Sequence, residues 1–173
     1  GPKAIKTKLT AYSKDIFDVP KDTLLKEVAA ARASDFIVKD KKVSVVNRSP
    51  RAPFTTSTMQ QTASSRLGMN PQRTMRAAQR LYEQGLITYM RTDSTSLSPD
   101  AQKNILAYVV KTYGENFAEA HVYKTKSKNA QEAHEAIRPT NIATTSVKMG
   151  VDETRLYTLI HARTVASQMA DAK

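Results

Sequence analysis

The 173-residue sequence contains no cysteine, which excludes disulfides, thiolate metal sites and cysteine nucleophiles. No apolar run approaches the roughly 20 residues that a membrane-spanning helix needs. No signal peptide is legible either, so the expected setting is the cytoplasm and no membrane partner is expected. The leading Gly1-Pro2 reads as a protease-cleavage scar and is left out of the fold argument. There is no Walker A motif or glycine-rich phosphate loop, no His-Glu-x-x-His zinc pair and no nucleophile elbow. No Asp-x-Asp-x-Asp cluster is present to hold Mg²⁺, so a complete two-metal nuclease is excluded from this chain. No internal repeat is found.

What is plentiful is positive charge. There are 27 Lys and Arg against 16 Asp and Glu, a net +11. Such a balance is a footprint for polyanions, nucleic acid first, with a merely basic soluble protein as the plain alternative. The charge is unevenly spread. Residues 51–92 carry six arginines (Arg51, Arg66, Arg73, Arg76, Arg80, Arg91), no lysine and one acid, Glu83. Arginine used alone favours forked contacts to phosphate over a diffuse field. A hydrophobic fraction of 40% is enough for a real core.

Residues 3–19 alternate loosely and read as strand material. A short helix follows Pro20, with Leu24, Leu25, Val28 and Ala29 at helical spacing. Phe36-Ile37-Val38 and Val43-Ser44-Val45-Val46 are aromatic or β-branched and read as strands. Ser49-Pro50-Arg51-Ala52-Pro53 breaks both helix and ladder, so a domain boundary is expected after residue 50.

Beyond it the pattern turns helical. Thr55, Thr56 and Ser57 offer caps for a helix to about Leu67, stopped by Gly68. Asn70-Pro71 starts a second, running to Gln84 and Gly85. On its wheel Arg73, Arg76 and Arg80 share one face, opposite Met75, Ala78, Leu81 and Tyr82. Two helices meeting at a short glycine turn read as a helix-turn-helix, with an ordinary amphipathic helix as the alternative. Leu86 to Arg91 reads as a strand or extended segment. Ser98-Pro99 caps a third helix with Ile105, Leu106, Val109, Val110 and Tyr113 on its apolar face, stopped at Gly114. Residues 121–131 read as a loop and Gln131 to Ile137 as a helical turn. Asp152 is expected to cap a last helix that buries Leu156, Leu159, Ile160 and Val165.

Two motifs carry chemistry. In Ile87-Thr88-Tyr89-Met90-Arg91-Thr92-Asp93-Ser94 an extended chain points Tyr89 and Arg91 to one side. A tyrosine hydroxyl titrates near 10 and is a poor nucleophile at neutral pH. A neighbouring guanidinium favours the phenolate and neutralises a phosphate in the transition state. A phosphotyrosine link conserves the energy of the broken diester, so resealing needs no ATP. The plain alternative is a packed strand tyrosine beside a solvated arginine. In Gln131-Glu132-Ala133-His134-Glu135-Ala136-Ile137-Arg138-Pro139-Thr140, His134 can donate to a phosphate or shuttle a proton. Arg138 would share its face if the segment were helical.

Together these motifs resemble the bacterial type IA DNA topoisomerases. The resemblance begins at Ala52-Pro53-Phe54-Thr55-Thr56-Ser57-Thr58-Met59-Gln60-Gln61 and continues through Arg66-Leu67-Gly68 and Ala78-Gln79-Arg80-Leu81-Tyr82-Glu83. It then covers Gly85 to Ser94 and Glu132 to Pro139, in the family's order and over roughly two-thirds of the chain. Met90 favours the topoisomerase I branch, since the topoisomerase III branch usually has proline there.

The resemblance implies that Tyr89 forms the 5′-phosphotyrosyl bond to single-stranded DNA. It implies that Arg91 positions the scissile phosphate and that His134 joins the site near the metal-binding carboxylates. Thr88 and Asp93 look like flanking residues that shape the site, and Arg138 like a support of the same loop. The arginines Arg73, Arg76 and Arg80 are further candidates for touching DNA. The implied fold class is α+β, mainly α: a winged-helix or helix-turn-helix-like catalytic domain at 51–173, preceded at 1–50 by part of a β-rich arch or hinge domain. The implied parent relaxes negatively supercoiled DNA on the nucleoid, with Mg²⁺ held by a toprim domain. No metal ligand is expected in this chain, which as a fragment is expected to be inactive alone. A non-catalytic single-stranded DNA-binding module is the rival reading. A tyrosine recombinase fits poorly because Tyr89 precedes the histidine. A relaxase fits poorly because His121, His134 and His161 are scattered.

Overall fold

In the computed structural model, residues 20–35, 40–123 and 135–172 are described. The strands expected in 3–19 and at Phe36–Val38, the loop beyond residue 123, the helical turn over 131–134 and His134 itself lie outside them. The chain divides into two compact units, Gly1–Ser44 and Val45–Lys173. The described part is mainly helical, with five α-helices.

The first unit contributes α1, Lys21–Ala33. Pro20 starts it with a carbonyl that accepts from the Thr23 and Leu24 amides. The Ser34 hydroxyl closes it on the Ala31 carbonyl. Its spacing is helical as expected, yet no α1 residue is buried and Leu25 and Val28 are exposed. Val43, Val45 and Val46 were expected in a strand, and here the structure differs. All three are exposed and belong to no strand or bridge. β-Branched residues favour a strand only when a neighbouring strand supplies the pairing, and nothing among the described residues does so.

In the second unit each helix begins and ends where local chemistry dictates. For α2, Thr56–Leu67, the Thr55 hydroxyl accepts from the Thr58 amide while the Thr58 hydroxyl accepts from the Thr55 amide. This reciprocal box satisfies two amides that the helix cannot pair internally. Gly68 ends α2 at φ 67°, a left-handed conformation that glycine adopts without cost. Two residues later Asn70 caps α3, Pro71–Glu83, by accepting from the Arg73 amide. Gly85, again at φ 67°, ends α3. Its amide donates to the Tyr82 carbonyl, and the next amide, Leu86, donates to the Leu81 carbonyl. That paired closure fixes the direction in which the chain leaves the helix, and Tyr89 follows three residues later.

Ser98 caps α4, Pro99–Tyr113, and a 3-10 turn at Glu115–Phe117 follows. The expected apolar face of α4 is covered only in part: Ile105 and Val109 are buried, while Val110 and Tyr113 stay exposed. The last helix, α5, is Val151–Ala166. Its N-cap is Gly150, not Asp152, which lies in the first turn and faces an arginine of α3. A side chain on Gly150 would strike the Glu153 carboxylate, which folds back over it.

The core gathers Phe54, Met59, Ala63, Leu81, Ile87, Met90, Leu156 and Ile160 among others, joining α2, α3 and α5 to the segment after α3. A smaller cluster of Ile105, Val109 and Val165 seats α4 on α5. Between helices, single antiparallel bridges replace a sheet: Phe54 with Ile137, Ile87 with Pro139, Ala118 with Met169 and Arg48 with Ala172.

Candidate active site

The residues after α3 form neither helix nor ladder. Apart from the Ile87–Pro139 bridge, residues 86–98 are bends and coil. Over residues 89–94 burial nevertheless alternates, although Ile87, two residues before Tyr89, is buried. Met90, Thr92 and Ser94 are buried, while Tyr89, Arg91 and Asp93 are exposed, Tyr89 by 40%. An extended chain alternates its side chains whether or not it is paired. Tyr89 and Arg91 are both exposed, on a stretch that bends at residues 88, 90 and 91.

Hydrogen bonds to threonines hold this segment on two sides. On one side, the Thr88 hydroxyl donates to the Ala136 carbonyl at 2.7 Å and accepts from the Arg138 amide at 3.0 Å. The Thr88 amide donates to the Arg138 carbonyl, and the Thr140 hydroxyl donates to the Gly85 carbonyl at 2.6 Å. On the other side, the first turn of α2 supplies Thr56. Its hydroxyl donates to the Met90 carbonyl at 2.7 Å and accepts from the Thr92 amide at 2.9 Å. Tyr89 therefore stands between two residues whose backbones are tied to different elements. Thr88 itself turns inward, so it shapes the segment from behind. Farther on, the Ser94 amide donates to the Thr92 hydroxyl and the Ser96 amide to the Ser94 hydroxyl, turning the chain toward α4. The Tyr89 ring meets Tyr82 of α3 edge to face, centroids 5.3 Å apart.

The segment expected as a helical turn up to Ile137 is extended from residue 135 on, because Ile137 bridges Phe54 and the Ala136 amide donates to the Ser96 carbonyl. The condition for Arg138 to share a helical face with His134 is therefore not met. Arg138 instead turns to Glu135, donating from Nε at 2.7 Å, and its side chain is only 17% exposed. The other Glu135 oxygen accepts from the Ser98 amide at 2.8 Å, so this carboxylate ties the cap of α4 to the strip behind Tyr89. Burial pushes the Glu135 carboxyl up, but the Ser98 hydrogen bonds and the Arg138 charge outweigh it and hold it below the usual range.

The arginine face of α3 is real, and two of its three members are engaged. Arg73 forks onto Asp152 through Nε and Nη2, and Arg80 donates to Glu153 at 2.9 Å. The Arg73 hydrogen bond and charge hold Asp152 below its ordinary range. Both acids sit in the first turn of α5, where the helix dipole favours negative charge. Arg76 is exposed, with no ion pair among the described residues. Those residues also contain no group of three or more His, Asp or Glu able to hold a metal ion. They do not fit a Mg²⁺ site.

A DNA topoisomerase family model matches residues 4–173. The chain belongs to the DNA topoisomerase family. It is 48% identical over 144 residues to DNA topoisomerase 1 of Pasteurella multocida, covering 81% of this chain and 17% of that protein. With DNA topoisomerase 1 of Campylobacter jejuni it shares 43% identity over 184 residues, covering 98% and 25%. Against full-length topoisomerase I of Thermotoga maritima, a solved structure, the TM-score is 0.70 at 38% identity, covering 88% of this chain and 26% of that one. This topoisomerase chain thus spans a quarter or less of the curated relatives named here. Their names agree with the branch that Met90 favours.

Sequence reasoning missed the threonine ties and both acid–arginine pairings between α3 and α5. Their partners stand from 34 to 79 residues apart, beyond the reach of any local pattern.

Proposed function

We propose that this chain is the tyrosine-bearing part of a type IA DNA topoisomerase, and that Tyr89 is its nucleophile. The observation that carries the reading is the exposure of Tyr89 and Arg91 on a segment whose flanking backbone is fixed from two sides. Orienting a nucleophile in advance removes much of the entropic barrier to attack. The Tyr89 oxygen attacks the scissile phosphorus of single-stranded DNA and gives up its proton. A bond forms from that oxygen to phosphorus, and the bond to the 3′ oxygen breaks. The 3′ oxygen leaves as a hydroxyl, taking a proton. The reverse attack reseals the strand, and passage of the other strand in between relaxes negative supercoils. Arg91 forks onto the non-bridging oxygens and offsets the charge that grows there. His134 is assigned to the same site as a phosphate donor or proton shuttle, on the strength of the motif. Asp93 shapes the rim. Residues 51–173 make up the catalytic domain, with α2 and α3 as its helix-turn-helix, and residues 1–50 belong to the arch or hinge. Mg²⁺ would be held by acidic residues of another domain, where it would offset phosphate charge.

The test is Tyr89→Phe in the full-length parent, incubated with a single-stranded oligonucleotide and Mg²⁺. The covalent adduct on a denaturing gel is expected to vanish while oligonucleotide binding persists. An adduct that survives the substitution sinks the assignment. The present chain alone is expected to leave supercoiled plasmid unrelaxed.

A further inference from the structure

Three arginines of the second unit that have no ion pair among the described residues lie together. The ion pairs among the described residues engage Arg73, Arg80 and Arg138; none reaches Arg51, Arg66 or Arg163. These three line one cleft of about 330 Å³, together with Leu159, Ala162 and Ala166. Arg163 is held in place: its guanidinium lies 4.3 Å over the Phe54 ring, and Nη1 donates to the Ala52 carbonyl at 3.3 Å. Burial lowers its pKa, and the charges of Arg51 and Arg66 lower it further. Arg66 and Arg163 lie in the last turns of α2 and α5, where helix dipoles attract cations. Arg51 belongs to neither helix, and its charge adds to the other two around an open cleft. A pocket of this kind is complementary to an anion with several acceptor oxygens.

We propose that the cleft of Arg51, Arg66 and Arg163 binds a backbone phosphate of the DNA strand, at a position separate from the scissile one. The inference rests on the topoisomerase reading for the choice of DNA as the anion's source. Thr56, at the start of α2, touches the Tyr89 segment. Arg66 comes ten residues later on the same helix, which is about 15 Å at 1.5 Å per residue. A strand held at both points is anchored a few nucleotides from the bond that Tyr89 attacks. The cleft thereby fixes register and carries no base information, as phosphate contacts generally do.

The experiment measures binding of this chain to a fluorescent oligothymidylate across a salt series. Arg51→Gln with Arg66→Gln is compared with Lys103→Gln plus Lys148→Gln, which removes the same charge at other exposed positions. The arginine pair is expected to lower the slope of log affinity against log salt by about 0.7, the value for one single-strand phosphate contact. The lysine pair is expected to move it much less. Arg51→Lys with Arg66→Lys keeps the charge and is expected to keep the slope, which guards against a misfolded glutamine variant. An unchanged slope in the arginine variant, or an equal fall in the lysine control, overturns the proposal and leaves the topoisomerase reading standing. If the unaltered chain binds no oligonucleotide at any salt, the proposal falls together with the choice of DNA.

Discussion

Two regions of the second unit look alike in sequence and differ in structure. Residues 87–94 and the outer face of α3 both present polar and charged side chains beside an apolar back. In the first, neutral hydrogen bonds from Thr56 and Thr88 hold the backbone and leave Tyr89, Arg91 and Asp93 turned outward. In the second, the charges themselves are engaged, because Arg73 and Arg80 reach across to Asp152 and Glu153. An exposed arginine is thus not the same thing as an available one. In the first region threonine hydroxyls fix the main chain and the charged side chains stay exposed; in the second the charged side chains themselves join two helices.

The largest effect should come from breaking the first kind of holding. Thr88→Val keeps the shape of the side chain and removes a hydroxyl that both donates and accepts. Leaving the carbonyl of buried Ala136 and the amide of half-buried Arg138 with fewer partners should cost about 2 kcal/mol, read from urea unfolding of this chain. The Tyr89 segment would also lose one of its two anchors. A shift of about 1 Å in a reacting group can cost on the order of 10²-fold in rate, so adduct formation by the full-length parent should fall by about that much with oligonucleotide binding little changed. A rate that tracks stability alone would show that the holding does not orient Tyr89.

Breaking the second kind should be milder and lopsided. Glu153 is buried, whereas the Arg80 side chain is 59% exposed. Arg80→Ala strands a carboxylate at the α3–α5 contact and should destabilise the chain by about 1 kcal/mol, the exposure of Arg80 having already weakened the pair. Glu153→Gln leaves a neutral acceptor for Arg80 and should cost less. Thermal melts of both variants give the order, and the reverse order would mean that the pair is held for its charge and not for its burial.

The sequence made the first region's alternation visible and hid its cause. Thr55, Gly68, Asn70, Gly85 and Ser98 announce the helix ends because a cap or a left-handed turn is decided within a few residues. Tyr89 and Arg91 are both exposed, as the alternation expected of the motif requires. By contrast, Leu86 to Arg91 stayed open between a strand and an extended segment, and it forms a coil with a single bridge, since a ladder depends on a partner that arrives some fifty residues later. For the same reason nothing local distinguished Arg76 from Arg73: the acids that select between them lie on α5. Val43, Val45 and Val46 show the converse, a strand composition without a pairing neighbour among the described residues.

A titration separates the two regions by pH. Glu135 belongs to the first, joining the Ser98 cap to Arg138 behind the tyrosine. Its folded pKa is depressed, so its contribution is fully present above the ordinary carboxyl value of 4.5 and is lost as pH falls below that, through the folded value. The wild-type chain should therefore lose stability in this acid window more steeply than Glu135→Gln, whose side chain does not titrate. Identical slopes of melting temperature against pH would remove Glu135 as a pH-dependent support of the segment. The comparison is best made in a background where Asp152, also depressed by Arg73, is replaced by Asn.

The smallest effect asks whether engaged and unengaged arginines on one helix differ toward DNA. Arg73 already has a carboxylate in its fork, while Arg76 is exposed without an ion pair among the described residues. A phosphate approaching Arg73 must displace Asp152 or share the guanidinium with it, and either choice cancels most of the gain. A phosphate approaching Arg76 displaces only water and counterions. Arg76→Gln should then reduce the salt slope of oligonucleotide binding by up to about 0.7, the single-strand value for one phosphate contact, and Arg73→Gln by much less. Arg73→Gln should show instead in the melting temperature, since it frees Asp152 in the first turn of α5. If the two substitutions weaken binding equally, the ion pair opens for DNA at little cost. The second region would then resemble the first, with both arginines held ready for phosphate.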